Sequence, residues 1–242
     1  VTTLVTTDVT DGTSIDAADL NNNLTAIKAV INGNIDNANV ASGAAIVPSK
    51  LSPGTNGQVI ATVSGAPAWA WGAVTMLSDT TLGVDAASVD ITSISASFAH
   101  LRLLIYARSD VGATFTNLYV RFNGDTGNNY DWQTFAANAA STAASEGIGQ
   151  GVLQLGYMPA NSAVANSFGA CEAVIPNYTS TIGHKALTCT THVRHTNASG
   201  GVRLDTTVGD WRGGAAINQI TVLGPSGNLK AGTRVTLYGM AA

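Results

Sequence analysis

The chain is 242 residues long, carries 11 Lys and Arg against 15 Asp and Glu for a net charge of -4, and is only 11% charged, where an ordinary soluble domain has roughly 25%. That length suffices for one large or two modest domains with a real core. The acidic balance leaves no basic stripe to follow a phosphate backbone or an anionic membrane, which excludes nucleic acid as an expected partner, and no apolar run approaches the roughly 18 residues of a membrane span.

Only two Glu (Glu146, Glu172) and four Lys are present, so the usual formers of long solvated helices are scarce. Ala, Thr, Ser, Asn and 26 Gly take their place, which predicts strands, tight turns and a neutral skin. The N-terminus lacks the charged-then-apolar layout of an export signal. Cys171 and Cys189 are too few for a disulfide framework. They are expected as buried free thiols of a protein made in a reducing cytoplasm, with pairing between neighbouring strands left open.

In chain order, residues 1–14 ("VTTLVTTDVTDGTS") alternate β-branched and polar residues before "DGT" breaks the run, as expected of an extended arm. Residues 15–33 predict a short helix, with Asp16 as its cap and Asp19 in its first turn, where a carboxylate complements the helix dipole. Leu20, Leu24, Ile27 and Ile31 recur at intervals of four, three and four, the seam of a coiled coil. Two heptads are marginal alone in water, so the seam is expected to pack against copies of itself.

Residues 34–75 are expected to form a fibrous stem, and the stretch from Ile31 to Leu51 that opens it follows neither the helical nor the strand period. Single aliphatics (Ile35, Val40, Ile46, Leu51) stand among Asn, Ala, Ser and Gly. In parallel copies around one axis each would meet its equivalents, whereas a single chain would have no core there. A flexible linker with incidental aliphatics is the competing interpretation.

The run "LNNNLTAIKAVINGNIDNANVASGAAIVPSKL" followed by "GTNGQVIATVSGAPAWAWG" resembles the stem of tailed-bacteriophage fibre and appendage proteins, over about Gly12 to Gly72. More loosely, "RFNGDTGNNY" and "GNLKAGTRVTLYGM" resemble the ends of virion appendage domains found on tails and on capsids. The resemblance implies a homotrimer on the virion surface, anchored to another virion protein by its N-terminal arm and ending in a β-structured knob. The short shaft implies a short appendage. A receptor-binding tail fibre and a capsid decoration or head-fibre protein are both compatible with it.

Residues 76–242 predict a β-domain. In "FAHLRLLIYARSD", Leu101, Leu103 and Ile105 share one face with Ala99 and Ala107, opposite His100, Arg102, Tyr106 and Arg108. Seven further alternating runs, from "TNLYVRFNG" to "RVTLYGM", are separated by turns such as Asn123-Gly124 and Ser226-Gly227-Asn228. Eight or so strands suggest a jelly-roll-like β-sandwich, so the whole chain is expected to be mainly β. The Ala- and Ser-rich segment from Ala136 to Ser145 is expected to be a loop.

No catalytic fingerprint is present. His192 and His195 are three apart and would face opposite sides of a strand, which disfavours a shared metal. "GDTGNNYD" lacks the spacing and bidentate Glu of a calcium loop and predicts a hairpin. Asp205 and Asp210 near Trp211 could suit glycoside hydrolysis, but 6% aromatic residues offer few sugar platforms. The expectation is a protein without enzymatic activity, cofactor or metal. For contact with a host-surface glycan the candidates are Tyr130, Trp132, Tyr178, Trp211 and Arg212, each with a competing role in the core or at a subunit interface. Trp69 and Trp71 are expected to pack where the stem meets the knob.

Overall fold

The structure is a computed structural model that describes residues 17–31, 58–63, 66–196 and 201–241. Helix α1 spans Ala17–Ile31. It is rich in Ala and Leu, good helix formers, and Lys28 sits in its last turn, where the dipole favours a cation. The Thr25 hydroxyl donates back to the Asn21 carbonyl at 2.8 Å. Leu24 and Ile27 are exposed on the same stripe, and the backbones of Leu20 and Ile31 fall within the helix. The expected arm, the cap at Asp16 and the expected axial positions Ile35, Val40, Ile46 and Leu51 lie outside the described residues.

The rest of the described chain is β. A hairpin joins β1 (Gln58–Val63) to β2 (Ala66–Trp71), which carries Trp69 and Trp71. Twelve strands follow: β3 (Val74–Thr81), β4 (Ser88–Ile91), β5 (His100–Ala107), β6 (Phe115–Phe122), β7 (Tyr130–Asn138), β8 (Ser141–Gln150), β9 (Leu153–Pro159), β10 (Gly169–Pro176), β11 (Lys185–Arg194), β12 (Val202–Trp211), β13 (Ile220–Leu223) and β14 (Arg234–Met240). They form two antiparallel sheets, an eight-stranded one ordered β3-β14-β5-β10-β11-β12-β7-β8 and a four-stranded one ordered β4-β13-β6-β9. The pairs β3/β14, β4/β13, β5/β10 and β6/β9 are concentric in sequence, as if one long hairpin were rolled up. Two hairpins interrupt that order, β7-β8 between β6 and β9, and β11-β12 between β10 and β13. They pair with each other through β12 and β7 and extend only the larger sheet.

Strand alternation builds the core between the sheets. Leu101, Leu103 and Ile105 of β5, Ala173 and Ile175 of β10, and Val235 and Leu237 of β14 face Leu118, Val120 and Phe122 of β6, Leu153 and Leu155 of β9, and Ile220 and Val222 of β13 in one buried cluster. Cys171 and Cys189 join it as free thiols. A hydrogen bond between the two sulfurs, and then burial, pushes the Cys171 thiol well above its ordinary value.

Beneath the inserted strands the interior is polar and paired. Asp205, fully buried, accepts from Arg203 Nη2 at 2.7 Å, from Arg203 Nε at 3.0 Å and from the Thr191 hydroxyl at 3.2 Å. The Arg203 guanidinium lies 3.9 Å from the centre of the Tyr157 ring, a cation–π contact that ties the insertion to β9. Gly156 (φ +136°) makes this approach possible, since a Cβ there would collide with the Thr191 hydroxyl.

Two expectations need correction. The segment Ala136–Ser145 is not a loop, because it ends β7 and begins β8. Ser141 to Glu146 are all exposed, so no buried face imposes an alternating pattern, and pairing with β7 makes the strand. The first sandwich strand also begins at Val74, two residues before the expected boundary, because Val74 pairs with Met240.

Candidate interaction face

Three of the five candidate contact residues belong to the interior, which corrects their assignment to a host-facing surface. Tyr130 is fully buried, with its hydroxyl accepting from the Phe122 amide at 2.9 Å. Trp211 stacks near it at 6.4 Å and donates its indole N–H to Asp125 at 2.8 Å. Tyr178 is fully buried and donates to the Ser95 carbonyl. A chain with so few aromatics places them where they remove most apolar surface from water. Trp132 is half-buried against the core. Arg212 is exposed and engaged with Asp131 and the Asn128 carbonyl.

The "GDTGNNYD" segment is a loop but not the expected hairpin, because it carries the chain from β6 in the four-stranded sheet across to β7 in the eight-stranded sheet and the two strands do not pair. Asn123 (φ +51°) and Gly124 (φ +66°) form its tight turn. The Asp125 carboxylate organises the remainder, accepting from the Gly127 amide, the Asn129 amide group and Trp211. The Trp211 indole N–H, first among these, holds the Asp125 carboxyl below the ordinary carboxylate range. Among the described residues no group of three or more His, Cys, Asp or Glu is placed to hold a metal. His192 points outward from β11, whereas His195 lies beyond the strand and meets Asn138 Oδ1 at 3.1 Å.

What the strands do create is a broad outward face on the eight-stranded sheet. The register aligns its side chains in rows. One row runs Leu104, Glu172, Thr190, Thr206, Phe135, Ala144, and the next runs Arg102, Val174, Thr188, Val208, Gln133, Glu146. Phe135 (56% exposed) and Val208 (52%) stand out of it with Leu204, Val202, Tyr106, Met76 and Val74. Several charges around these rows are paired within the chain, Arg102 with Glu172 at 2.8 Å and Arg234 with Asp79 at 2.7 Å, and the His184 ring meets Asp210 at 2.8 Å. The Arg234 hydrogen bond holds the Asp79 carboxyl down to about 2.

At one end the face is hollowed by a depression of about 520 Å³, lined in part by Tyr106, Glu172, His192, Arg234 and Tyr238. Tyr106 stacks on Phe168 at 4.8 Å. Nothing in it pairs a nucleophile with a base, since Cys171 has its thiol in the core. Apolar and β-branched groups on a sparsely charged sheet face suit contact with another surface. Sequence reasoning missed this face. Its signal was present in "KALTCTTHVR" and "VRLDTTVGDW", whose outward positions are mostly Ala, Thr, Val and Leu, with Arg194 and Asp210 as the charged exceptions, where a solvated strand would carry more Lys or Glu.

No family model, curated protein or solved structure matches the chain.

Proposed function

We propose that the chain is a virion structural protein of a tailed bacteriophage, a homotrimeric fibre or receptor-binding appendage without catalytic activity. In this role the N-terminal arm anchors it to another virion protein, the helix and stem associate about a three-fold axis, and the distal sandwich meets the host surface. The observation that carries the proposal is helix α1, whose Leu24 and Ile27 are exposed together in the single chain at the spacing of a coiled-coil seam. Such a stripe requires a partner, and a parallel copy supplies one with the same spacing.

The strand order supports a jelly-roll knob. With the two inserted hairpins set aside, β3-β14-β5-β10 and β4-β13-β6-β9 remain, the two sheets of a rolled concentric hairpin. A host-surface glycan is the proposed receptor class, although Tyr130, Tyr178 and Trp211 are too deeply buried to serve it.

A second placement, as a capsid decoration or head-fibre protein, is equally compatible with α1, whose fifteen residues make a seam only about 22 Å long. Antibody against the sandwich, applied to intact virions, separates the two. Label at the tail supports the fibre; label over the head alone moves the appendage to the capsid. Virions that carry no label anywhere would refute the proposal.

A further inference from the structure

We infer that the four inserted strands, β7, β8, β11 and β12, form a contact surface for a second copy of this chain, through their outward face and the outer edge of β8, which pairs with no further strand among the described residues. The inference rests on the homo-oligomeric function proposed above and locates a contact that the helix alone does not specify. Strand β8 contributes little to the interior, since Ser141 to Glu146 are exposed on both sides of the sheet, whereas β7 buries Tyr130 and Thr134 on its inner side and leaves Phe135 outside. Free edges in lone chains are normally blunted by Lys, Pro, a short strand or a covering segment. Strand β8 is ten residues long, carries Glu146 as its one charge and contains neither Lys nor Pro, and its one irregularity, a register shift opposite Tyr130 and Trp132, is confined to its C-terminal end. An edge of this kind is suited to being covered.

The chemistry of the face points to a like copy. Phe135, Leu204 and Val208 stand out of a surface made mostly of Thr, Ala and Val, on which Gln133, Glu146, His192, Arg194 and Asp210 are the larger polar groups. Strongly charged surfaces repel their own copies, whereas this face carries few charges and of both signs, Arg194 against Glu146 and Asp210, and so meets itself at little like-charge cost. A polyanion would need several unmatched cations, yet the flanking Arg102 and Arg212 are engaged by Glu172 and Asp131, and Arg194 on the face itself has a partner of its own. The small side chains of β8 let a second backbone approach closely.

The area is sufficient. Four strands about 4.8 Å apart and ten residues at about 3.3 Å each give a flat patch of roughly 19 by 33 Å, or about 600 Å². Pleating and side chains raise the accessible area toward the roughly 800 Å² per partner of a standard stable interface.

Hydroxyl-radical footprinting of the purified full-length chain, with its mass measured in parallel by light scattering, tests the inference. Ile182, 99% exposed in a loop, serves as the freely labelled reference. In a multi-chain assembly we expect loss of labelling at Phe135, Leu204 and Val208 while Ile182 still reacts. Phe135 should become reactive in the double variant Thr206→Asp, Val208→Asp, whose substitutions fall on exposed side chains and leave the core intact. A multi-chain mass with Phe135 labelled as an exposed ring would overturn this contact and leave the homo-oligomer standing. A one-chain mass would overturn both. Free labelling of Phe135 that is quenched by added host polysaccharide would assign the face to a different partner and also overturn the inference.

Discussion

Replacing Asp205 with Ala removes the anion beneath the inserted strands. Asp205 is fully buried, and the Arg203 side chain it holds is only 13% exposed. The variant deletes the paired contacts to Arg203 and the one to Thr191, leaving a guanidinium with no carboxylate and little water. Stranding one member of a buried ion pair costs about 3–5 kcal/mol, against a total stability of about 5–15 kcal/mol for a typical domain. At about 2–4 °C per kcal/mol for 150–250 residues, the melting temperature should fall by about 6–20 °C. The double replacement Asp205→Leu, Arg203→Met should recover much of that loss, because an apolar pair leaves no orphan charge. Urea denaturation followed by circular dichroism measures both. A loss below about 1 kcal/mol in Asp205→Ala would mean that the cluster behaves as a solvated surface pair, and would refute the view that it pins the insertion to β9.

Folded-state carboxyl values are depressed for Asp79 by Arg234, for Asp110 by the Asn228 amide and for Asp125 by Trp211. Each depressed group stabilises the fold fully above the unfolded carboxylate range near about pH 4, and that contribution is lost as pH falls through the folded value; melting curves between pH 7 and 2 should show the loss, reduced in Asp79→Asn. A thiol reagent should find neither Cys171 nor Cys189 in the native protein and both after denaturation, since both are buried; rapid native labelling would contradict their place in the core. Gly156→Ala forces a Cβ into Thr191 at a positive φ and should cost more than about 1–3 kcal/mol by overpacking and strain together, measured by chemical denaturation; a neutral result would mean that the sheets separate easily there.

The strands with a buried face were legible because burial imposes a period of two. In β5, Leu101, Leu103 and Ile105 point inward in the expected alternation, and β10 and β11 follow the same rule. Strand β8 was illegible because exposure on both sides removes the pattern, and its Ala and Ser residues have weak strand preference. The aromatic candidates failed for a related reason. Composition reveals how many aromatics exist, but whether Tyr130 turns toward Phe122 or toward solvent depends on the Asn123-Gly124 turn and the pairing of β7 with β12. The interaction face depends likewise on long-range register, since Thr206 and Phe135 are neighbours only once β12 and β7 pair.

Copies of the chain joined along the helix seam are the central claim, and the mass of the full-length protein in solution tests it most directly. Light scattering should give three times the chain mass of 24.6 kDa, and the double variant Leu24→Asp, Ile27→Asp should weaken association by burying uncompensated charge, so that mass falls on dilution. A wild-type protein with the mass of one chain at every concentration would contradict the claim.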